Sequence, residues 1–234
     1  MKIGIIGSGG VGGFFGAKLA KSGQDVVFIQ RGAHLEAMQR NGLKVESGLG
    51  DITLPAVRAT DNPAEVGLVD VALVTVKSGQ TDEAVELTKP MMGKNTAVIT
   101  LQNGVENEHR LVEKLGEGNV LGGVAYILSL IKAPGLIQQT GPMARLEFGE
   151  LDGARSRRAL EFLEACENAS IEATLSDNIQ QNIWKKFVFL CPHNGMTSLT
   201  RSSIGSIRDD QDCRALLEGA VNEVLLLAGA KGIS

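Results

Sequence analysis

The sequence predicts a doubly wound α/β domain followed by a segment made of helices alone. Short apolar runs rich in Val and Ile alternate with segments of helical periodicity through the first half of the chain. Strands that are apolar on both faces are typical of a parallel sheet covered by helices on each side. The chain also contains 29 Gly and only 4% aromatic residues. This composition favours many tight strand–helix turns over an all-β sandwich.

The predicted elements of the first domain alternate along the chain. The predicted strands are Lys2–Ile6, Asp25–Ile29, Val69–Val76, Thr96–Leu101 and Val120–Val124. The predicted helices between them are Val11–Lys21, His34–Arg40, Thr81–Leu87 and Glu106–Leu115. From Gly122 to Gly149 alternating strand patterns are interrupted by Pro134–Gly135 and Gly141–Pro142. This segment predicts a small antiparallel extension at the edge of the sheet.

The C-terminal part of the sequence changes to helical periodicity. Helices are predicted over Ala154–Cys166, Ile179–Leu190 and Asp212–Ala228. We therefore predict a nucleotide-binding domain over 1–175 and a helical domain over 176–234. Two or three helices bury little apolar surface, so we expect the helical domain to be truncated or to depend on a partner subunit.

Composition and charge exclude several classes of protein. The net charge is −4 and no block of basic residues is present, which argues against nucleic-acid binding. No apolar run reaches the roughly 20 residues that a membrane-spanning helix needs. The chain begins with a strand pattern and has no secretory signal pattern. We expect a cytoplasmic protein.

Cysteine and histidine spacing predicts no metal site. Cys166, Cys191 and Cys213 stand far apart and are expected to be buried, reduced thiols. His34 and His109 are expected on exposed helix faces. No carboxylate lies at a spacing that would form a metal site or a proton relay with either.

A glycine motif directly follows the first predicted strand. Gly7, Gly9 and Gly12 form a G-x-G-x-x-G pattern, with Ser8, Gly10 and Val11 between them. In a strand–turn–helix context the first glycine permits the tight turn and the second lets a pyrophosphate approach the backbone. The third lets helix and strand pack closely, and the helix N-terminus attracts the phosphates. The sequence therefore predicts a Rossmann site for a dinucleotide.

The end of the second predicted strand indicates which dinucleotide is bound. A site that prefers NAD carries a carboxylate there, whereas Gln30 and Arg31 occupy this position. A guanidinium group binds a 2′-phosphate well. Arg31 therefore predicts NADP(H).

Three lysine and asparagine side chains are further candidates. Lys77 and Asn103 follow buried strands, at the sheet edge where ligands bind in open α/β folds. Lys186 lies on a predicted helix beside Trp184 and Phe187, where partial desolvation would make the ammonium group a better proton donor near neutral pH. Each of these residues has an ordinary structural alternative, as a loop residue or as a lysine lying across apolar surface.

The sequence resembles the ketopantoate reductases of pantothenate synthesis over essentially its whole length. The matching segments are KIGIIGSGGVG, FIQR, VTVKSGQT, LQNGVEN and WKKF followed by HNGMTSLTR. The resemblance implies that NADPH reduces the 2-keto carbon of ketopantoate. It assigns the glycine motif and Arg31 to the cofactor phosphates, and Lys77 and Asn103 to the nicotinamide and its ribose. It makes Lys186 the catalytic lysine, with Asn103 beside it, and Asn194 a substrate ligand.

Two positions depart from the family pattern. Leu190 stands where the family has an asparagine four residues after the catalytic lysine, and Gly195 replaces a proline. Family members also carry substrate contacts in C-terminal helices that this sequence lacks. Besides a ketopantoate reductase, a reductase of another 2-oxo acid and a non-catalytic NADP sensor therefore stay open. The resemblance also implies a homodimer formed through the helical domain.

Overall fold

A computed structural model describes residues 1–233 of the chain. It confirms the α/β fold class. The strands are β1 Lys2–Ile6, β2 Asp25–Ile29, β3 Leu43–Ser47, β4 Ile52–Leu54, β5 Arg58–Thr60, β6 Val69–Val74, β7 Met92–Thr100, β8 Val120–Ala133, β9 Leu136–Glu150 and β10 Glu172–Leu175. The helices are α1 Gly10–Lys21, α2 Gly32–Asn41, α3 Thr81–Thr88, α4 Asn107–Leu115, α5 Arg157–Asn168, α6 Ile179–Thr200, α7 Ile204–Asp209 and α8 Gln211–Ala230.

The strands form one sheet with the order β4-β3-β9-β8-β7-β6-β1-β2-β5, and β10 pairs with β9. Strands β8, β7, β6, β1, β2 and β5 are parallel neighbours. From β1 the sheet continues through β6, β7 and β8 on one side and through β2 and β5 on the other, as in a doubly wound fold. The carboxyl ends of the parallel strands therefore meet at one edge of the sheet.

The predicted antiparallel extension is the hairpin formed by β8 and β9. Its position differs from the prediction, because β3 pairs in parallel with β9 along the side away from β8. The hairpin thus lies inside the sheet rather than at its edge. Strands β3, β4 and β5 were not predicted from the sequence. β4 and β5 have three residues each, and β3 alternates buried and exposed residues instead of being apolar throughout. β3 pairs with the distant β9, and β4 pairs with β3.

Two apolar clusters lie on opposite faces of this sheet. Ile3 and Ile5 belong to one cluster and Ile6 to the other, because successive side chains of a strand point to opposite faces. The first cluster is covered by α1 and α5, which contribute Phe14 and Phe162. The sheet is buried on both faces, which explains why its strands are apolar without alternation.

The described residues divide into two compact units. The first comprises Met1–Gln102 and Glu106–Ile179, and the second comprises Asn103–Val105 and the residues from Gln180 onwards. The second unit is made of α6, α7 and α8 together with the short Asn103 segment. Helix α6 continues through Pro192 to Thr200, ten residues beyond its predicted end. The division into domains 1–175 and 176–234 and the homodimer stay predictions.

Candidate functional site

The glycine loop turns tightly between β1 and α1. Gly7 has a φ of +89°, a conformation that side chains rarely adopt, and a Cβ there would lie 2.6 Å from Cγ1 of Val76. The Gly7 N–H donates to the Ile29 carbonyl over 3.0 Å, which ties the loop to the end of β2. Both the backbone conformation and the lack of space therefore require glycine at this turn.

Gly12 allows α1 to pack closely against the loop and against the end of β6. A Cβ at Gly12 would overlap the Thr75 hydroxyl and would lie 2.5 Å from the Gly7 carbonyl oxygen. The Thr75 hydroxyl donates to that carbonyl over 2.6 Å. Thr75 was not singled out in the sequence, although a hydroxyl directly after a buried strand is a usable signal. It holds the loop in its turn.

The same loop leaves open space at its centre. No atom lies within 4 Å of the Cβ position of Gly9, whereas a Cβ at Gly10 would meet the backbone of Ser129 on β8. Ser8 is fully buried, and its hydroxyl has no hydrogen-bond partner in the structure. A concave backbone with an open centre at the N-terminus of a helix fits a pyrophosphate. The residues present therefore fit a dinucleotide.

Arg31 lies at the N-cap of α2, directly after β2. Its guanidinium group pairs with the Glu83 carboxylate of α3 over 2.5 Å, and both side chains are largely exposed. The Gln30 side chain accepts a hydrogen bond from the Arg31 backbone N–H over 3.0 Å. Because the ion pair is exposed, it contributes little free energy, and a ligand phosphate could compete with Glu83 for Arg31.

Lys77 follows β6 at the same edge of the sheet. It is exposed and precedes a short 3₁₀ turn, Ser78–Gln80, whose last N–H donates to the Lys77 carbonyl over 2.8 Å. Since β6 pairs with β1, the glycine loop and Lys77 follow neighbouring strands. The predicted cofactor residues of the first unit thus lie along the ends of β2, β1 and β6.

A buried polar network lies beneath the loop that carries Asn103. The Gln102 side chain donates to the Thr81 hydroxyl over 3.0 Å and accepts from the Thr100 hydroxyl over 3.1 Å. Asn103 follows Gln102 and is exposed. The next residue, Gly104, has a φ of +119°. The network anchors Gln102 at the start of the loop. Sequence reasoning missed it because Thr81 lies 21 residues before Gln102 in the chain.

The second unit carries Lys186 and Asn194 on α6. Lys186 is half-buried, whereas Lys185 is exposed and donates to the Gln181 side chain over 2.9 Å. Trp184 and Phe187 pack edge to face, with ring centroids 5.7 Å apart. The two neighbouring lysines therefore occupy different environments, as the helical spacing predicts.

Asn194 lies about two helical turns beyond Lys186, roughly 12 Å along the helix axis. It is exposed, and its Oδ1 is 3.3 Å from Nδ1 of His193. Leu190, halfway between Lys186 and Asn194, is half-buried. Because α6 stays helical through this region, the three side chains project from neighbouring parts of one face.

Two expectations about isolated residues are corrected. His34 is 7% exposed, because it packs between the glycine loop and the turn of the β8–β9 hairpin. Cys191 on α6 is exposed and Cys213 on α8 is half-buried, whereas Cys166 is buried and burial raises the pKa of its thiol to about 12. Helical periodicity places the histidine on the apolar face of α2, but the partner of that face is set by distant strands.

The described part of the chain, residues 1–233, offers neither a site for a metal ion nor a membrane-spanning helix. Within that range no group of three His, Cys, Asp or Glu side chains is placed to hold a metal ion. No helix in the same range is long and apolar enough to cross a bilayer.

Comparison with known proteins identifies relatives along the whole chain. The model of the family described as "Ketopantoate reductase PanE/ApbA" matches residues 3–153, and the C-terminal model of the same family matches residues 178–234. A 2-dehydropantoate 2-reductase of Mesorhizobium japonicum is 31% identical over 100% of this chain and 77% of its own length.

Solved structures also match the chain over its whole length. A 2-dehydropantoate 2-reductase of Geobacter metallireducens has a TM-score of 0.94 and 34% identity, over 100% of this chain and 77% of its own. A D-mandelate dehydrogenase with NADH and anilino(oxo)acetate has a TM-score of 0.89 over 100% of this chain and 75% of its own. At 22% identity, this second likeness concerns the fold alone.

Proposed function

This chain belongs to the ketopantoate reductase PanE/ApbA family of oxidoreductases, and we propose that it reduces 2-dehydropantoate to pantoate with NADPH. The observation that carries the proposal is the joint presence of the glycine loop and Lys186 in segments matched by two models of one family. A glycine loop alone is shared by many dehydrogenases. The segment that carries Lys186 is the more specific of the two.

The dinucleotide would be held by the first unit. The backbone of Gly7, Ser8, Gly9, Gly10, Val11 and Gly12 surrounds the open space that suits a pyrophosphate. Arg31 would bind the 2′-phosphate once its exposed ion pair with Glu83 opens, and Gln30 rather than a carboxylate directly follows β2. Lys77 and Asn103 would contact the nicotinamide ribose and the carboxamide. When bound, NADPH supplies a hydride.

The reaction adds a hydride to the 2-oxo carbon of the substrate and a proton to its oxygen. Lys186 would donate a hydrogen bond to that oxygen and then deliver the proton, leaving a neutral amine that solvent reprotonates. Asn103 would help to orient the carbonyl, and Asn194 would bind the hydroxyl or carboxylate of the substrate. Stabilising the charge that develops on the oxygen is worth several kcal/mol in such reactions.

A second substrate is favoured by one specific residue. Leu190 presents a half-buried apolar side chain between Lys186 and Asn194, where the resemblance predicts an amide. A site without the partner for a substrate hydroxyl discriminates less in favour of ketopantoate. Reduction of a more apolar 2-oxo acid by the same residues is therefore the alternative function.

Lys186→Ala is the test of the proposed reaction. NADPH oxidation is followed at 340 nm with ketopantoate and with a panel of apolar 2-oxo acids. General-acid groups contribute about 10²–10⁴-fold to such steps, so we expect kcat to fall by that factor. Lys185→Ala is the matched control, because it removes the same charge from an exposed neighbour and should leave kcat unchanged.

The outcomes separate the three hypotheses. Turnover of ketopantoate that disappears in Lys186→Ala supports the proposed function. Turnover of an apolar 2-oxo acid alone supports the alternative. Binding of NADPH without turnover of any acid in the panel would contradict both and favour a sensor.

A further inference from the structure

His34 joins the glycine loop to the turn of the β8–β9 hairpin. Its Nε2 lies 3.1 Å from the Ser8 carbonyl oxygen, and its Nδ1 accepts a hydrogen bond from the Gly135 N–H over 3.0 Å. The turn is held against α2 as well, since a Cβ at Gly135 would lie 3.3 Å from that of Ala37. One buried side chain thus connects two backbone segments, at Ser8 and Gly135, that are more than 120 residues apart in the chain.

These two contacts determine the protonation state of the ring. A backbone N–H can only donate, so Nδ1 must carry a free lone pair towards Gly135. A carbonyl can only accept, so Nε2 must carry the hydrogen that is donated to Ser8. The ring is therefore the neutral Nε2–H tautomer. Burial lowers the pKa of His34, and the hydrogen bond to Ser8 offsets this only in part.

The contact with Ser8 also orients the neighbouring N–H group. The Ser8 carbonyl and the Gly9 N–H belong to one planar trans peptide, in which they point in opposite directions. With the carbonyl held by His34, the Gly9 N–H faces away from α2. N–H groups oriented in this way at the start of a helix bind phosphate oxygens.

We propose that His34 is a positioning residue for the dinucleotide, because it holds the Ser8–Gly9 peptide in the orientation that presents an N–H to the pyrophosphate. The inference rests on the proposed dinucleotide site and adds to it a residue outside the glycine motif. It also predicts that acid weakens cofactor binding. A second proton on Nδ1 would face the Gly135 N–H. The repulsion between the two donors would displace the buried ring, so its contact with Ser8 would be lost together with its contact with the hairpin.

The charges around His34 do not supply another cause for such a pH effect. The glycine loop contains no titratable side chain. On α2, β3, β5 and β8 the charged side chains are exposed: Arg31, Glu36, Arg40, Lys44, Glu46, Arg58 and Lys132. On α1, Lys18 and Lys21 lie in the last turn, at the end of the helix away from the glycine loop. The charged residues of β9, Arg145, Glu147 and Glu150, lie in the part of the strand that is distant from the hairpin turn. Lys132 pairs with Glu46 over 2.6 Å, and Arg58 pairs with Asp25 over the same distance.

Two variants of His34 separate its two contacts. In His34→Gln the amide nitrogen can donate to Ser8 from about the position of Nε2, whereas in His34→Asn the side chain is too short to reach it. The dissociation constant of NADP⁺ is measured by calorimetry between pH 7.5 and pH 5.5. His109→Gln is the control, since it removes an exposed histidine while the titration of the ligand's own 2′-phosphate stays the same.

We expect His34→Asn to bind NADP⁺ about 2- to 10-fold more weakly at pH 7.5, the effect of one hydrogen bond. His34→Gln should stay within about twofold of the wild type. As the pH falls below 6.5, the wild type and His109→Gln should lose more affinity than His34→Gln.

Equal affinity of His34→Asn and wild type at pH 7.5 would overturn the inference, as would equal pH slopes for His34→Gln and His109→Gln. Failure of the wild type to bind any dinucleotide would overturn the proposed function and the inference together. If His34→Asn is poorly folded, the pH slope of His34→Gln still decides the question.

Discussion

In the first unit the candidate residues follow strands that are buried on both faces, whereas Lys186 and Asn194 of the second unit project from a helix whose residues are mostly half-buried or exposed. Ile5, Leu73 and Ile99, near the ends of β1, β6 and β7, are all 0% exposed. In the second unit Phe189, Leu199 and Leu226 are 62%, 75% and 75% exposed. The described part of the second unit buries few large apolar side chains.

This difference bears on how each unit would contribute to catalysis. The glycine loop is shaped by contacts with the side chains of Thr75 and Val76 and with the backbone of Ile29, so its geometry follows from the packing of the sheet. Lys186 and Asn194 are both carried by one helix, α6. We therefore expect cofactor affinity to depend on the core of the first unit and substrate selectivity to respond to single substitutions on α6.

The largest expected effect tests the contrast in burial. Leu19 on α1 is 0% exposed within the first cluster, and Leu226 on α8 is 75% exposed. Leu19→Ala should lower the free energy of unfolding by about 2–5 kcal/mol, because it leaves a cavity. The same substitution at Leu226 should change it by less than about 0.5 kcal/mol. Urea unfolding followed by circular dichroism measures both.

A loss of stability in Leu226→Ala close to that in Leu19→Ala would contradict the difference in burial between the two units. It would mean that the exposed face of α8 is covered in solution, for which a concentration-dependent unfolding transition would be independent support.

The next effect concerns a buried carboxyl group in the first unit. Glu108 on α4 is 8% exposed, and burial raises its pKa from 4.5 to about 7 despite hydrogen bonds with the backbone of Glu108 and Gly123. The folded protein therefore keeps a proton that the unfolded chain releases above its ordinary pKa. This contribution to stability is present below about pH 4.5 and is lost as the pH rises through 7.

Glu108→Gln should remove that pH dependence. The variant should match the wild type near pH 4.5 and be more stable at pH 8, by on the order of 2 kcal/mol. Glu223→Gln on α8 is the control, since Glu223 is exposed in the second unit. The free energy of unfolding is measured at both pH values. Parallel pH profiles for Glu108→Gln and the wild type would show that the carboxyl group is solvated.

The smallest effect sharpens the assignment of the cofactor to the first unit. Arg31→Ala should raise the KM for NADPH about tenfold, the loss of a charge-assisted contact, and leave the KM for NADH unchanged. Arg40→Ala, on the exposed end of the same helix, is the control. Steady-state kinetics with both cofactors provide the measurement. An equal rise in the KM for NADPH and in the KM for NADH would show that Arg31 does not contact the 2′-phosphate.

Much of the first unit could be predicted because its signals are local. The limits of β1 and β2 agree with the predicted ones, and the glycine spacing marks the turn into α1. Apolar runs, helix periodicity and glycine positions reflect the conformation of neighbouring residues. The same reasoning identified Arg31, Lys77 and Lys186 as candidates, although their roles stay proposals.

The features that could not be predicted depend on residues distant in the chain. Strands β3 and β5 are stabilised by pairing with the distant strands β9 and β2, and β4 in turn pairs with β3. The burial of His34 follows from the hairpin turn that packs on α2, and the Gln102 network joins side chains from separate elements. The sequence by itself determined the fold class and the glycine loop, because both follow from short-range patterns of apolar and glycine residues. Only the tertiary structure decided where the hairpin lies and which polar side chains are buried around the loop, because long-range pairing sets both.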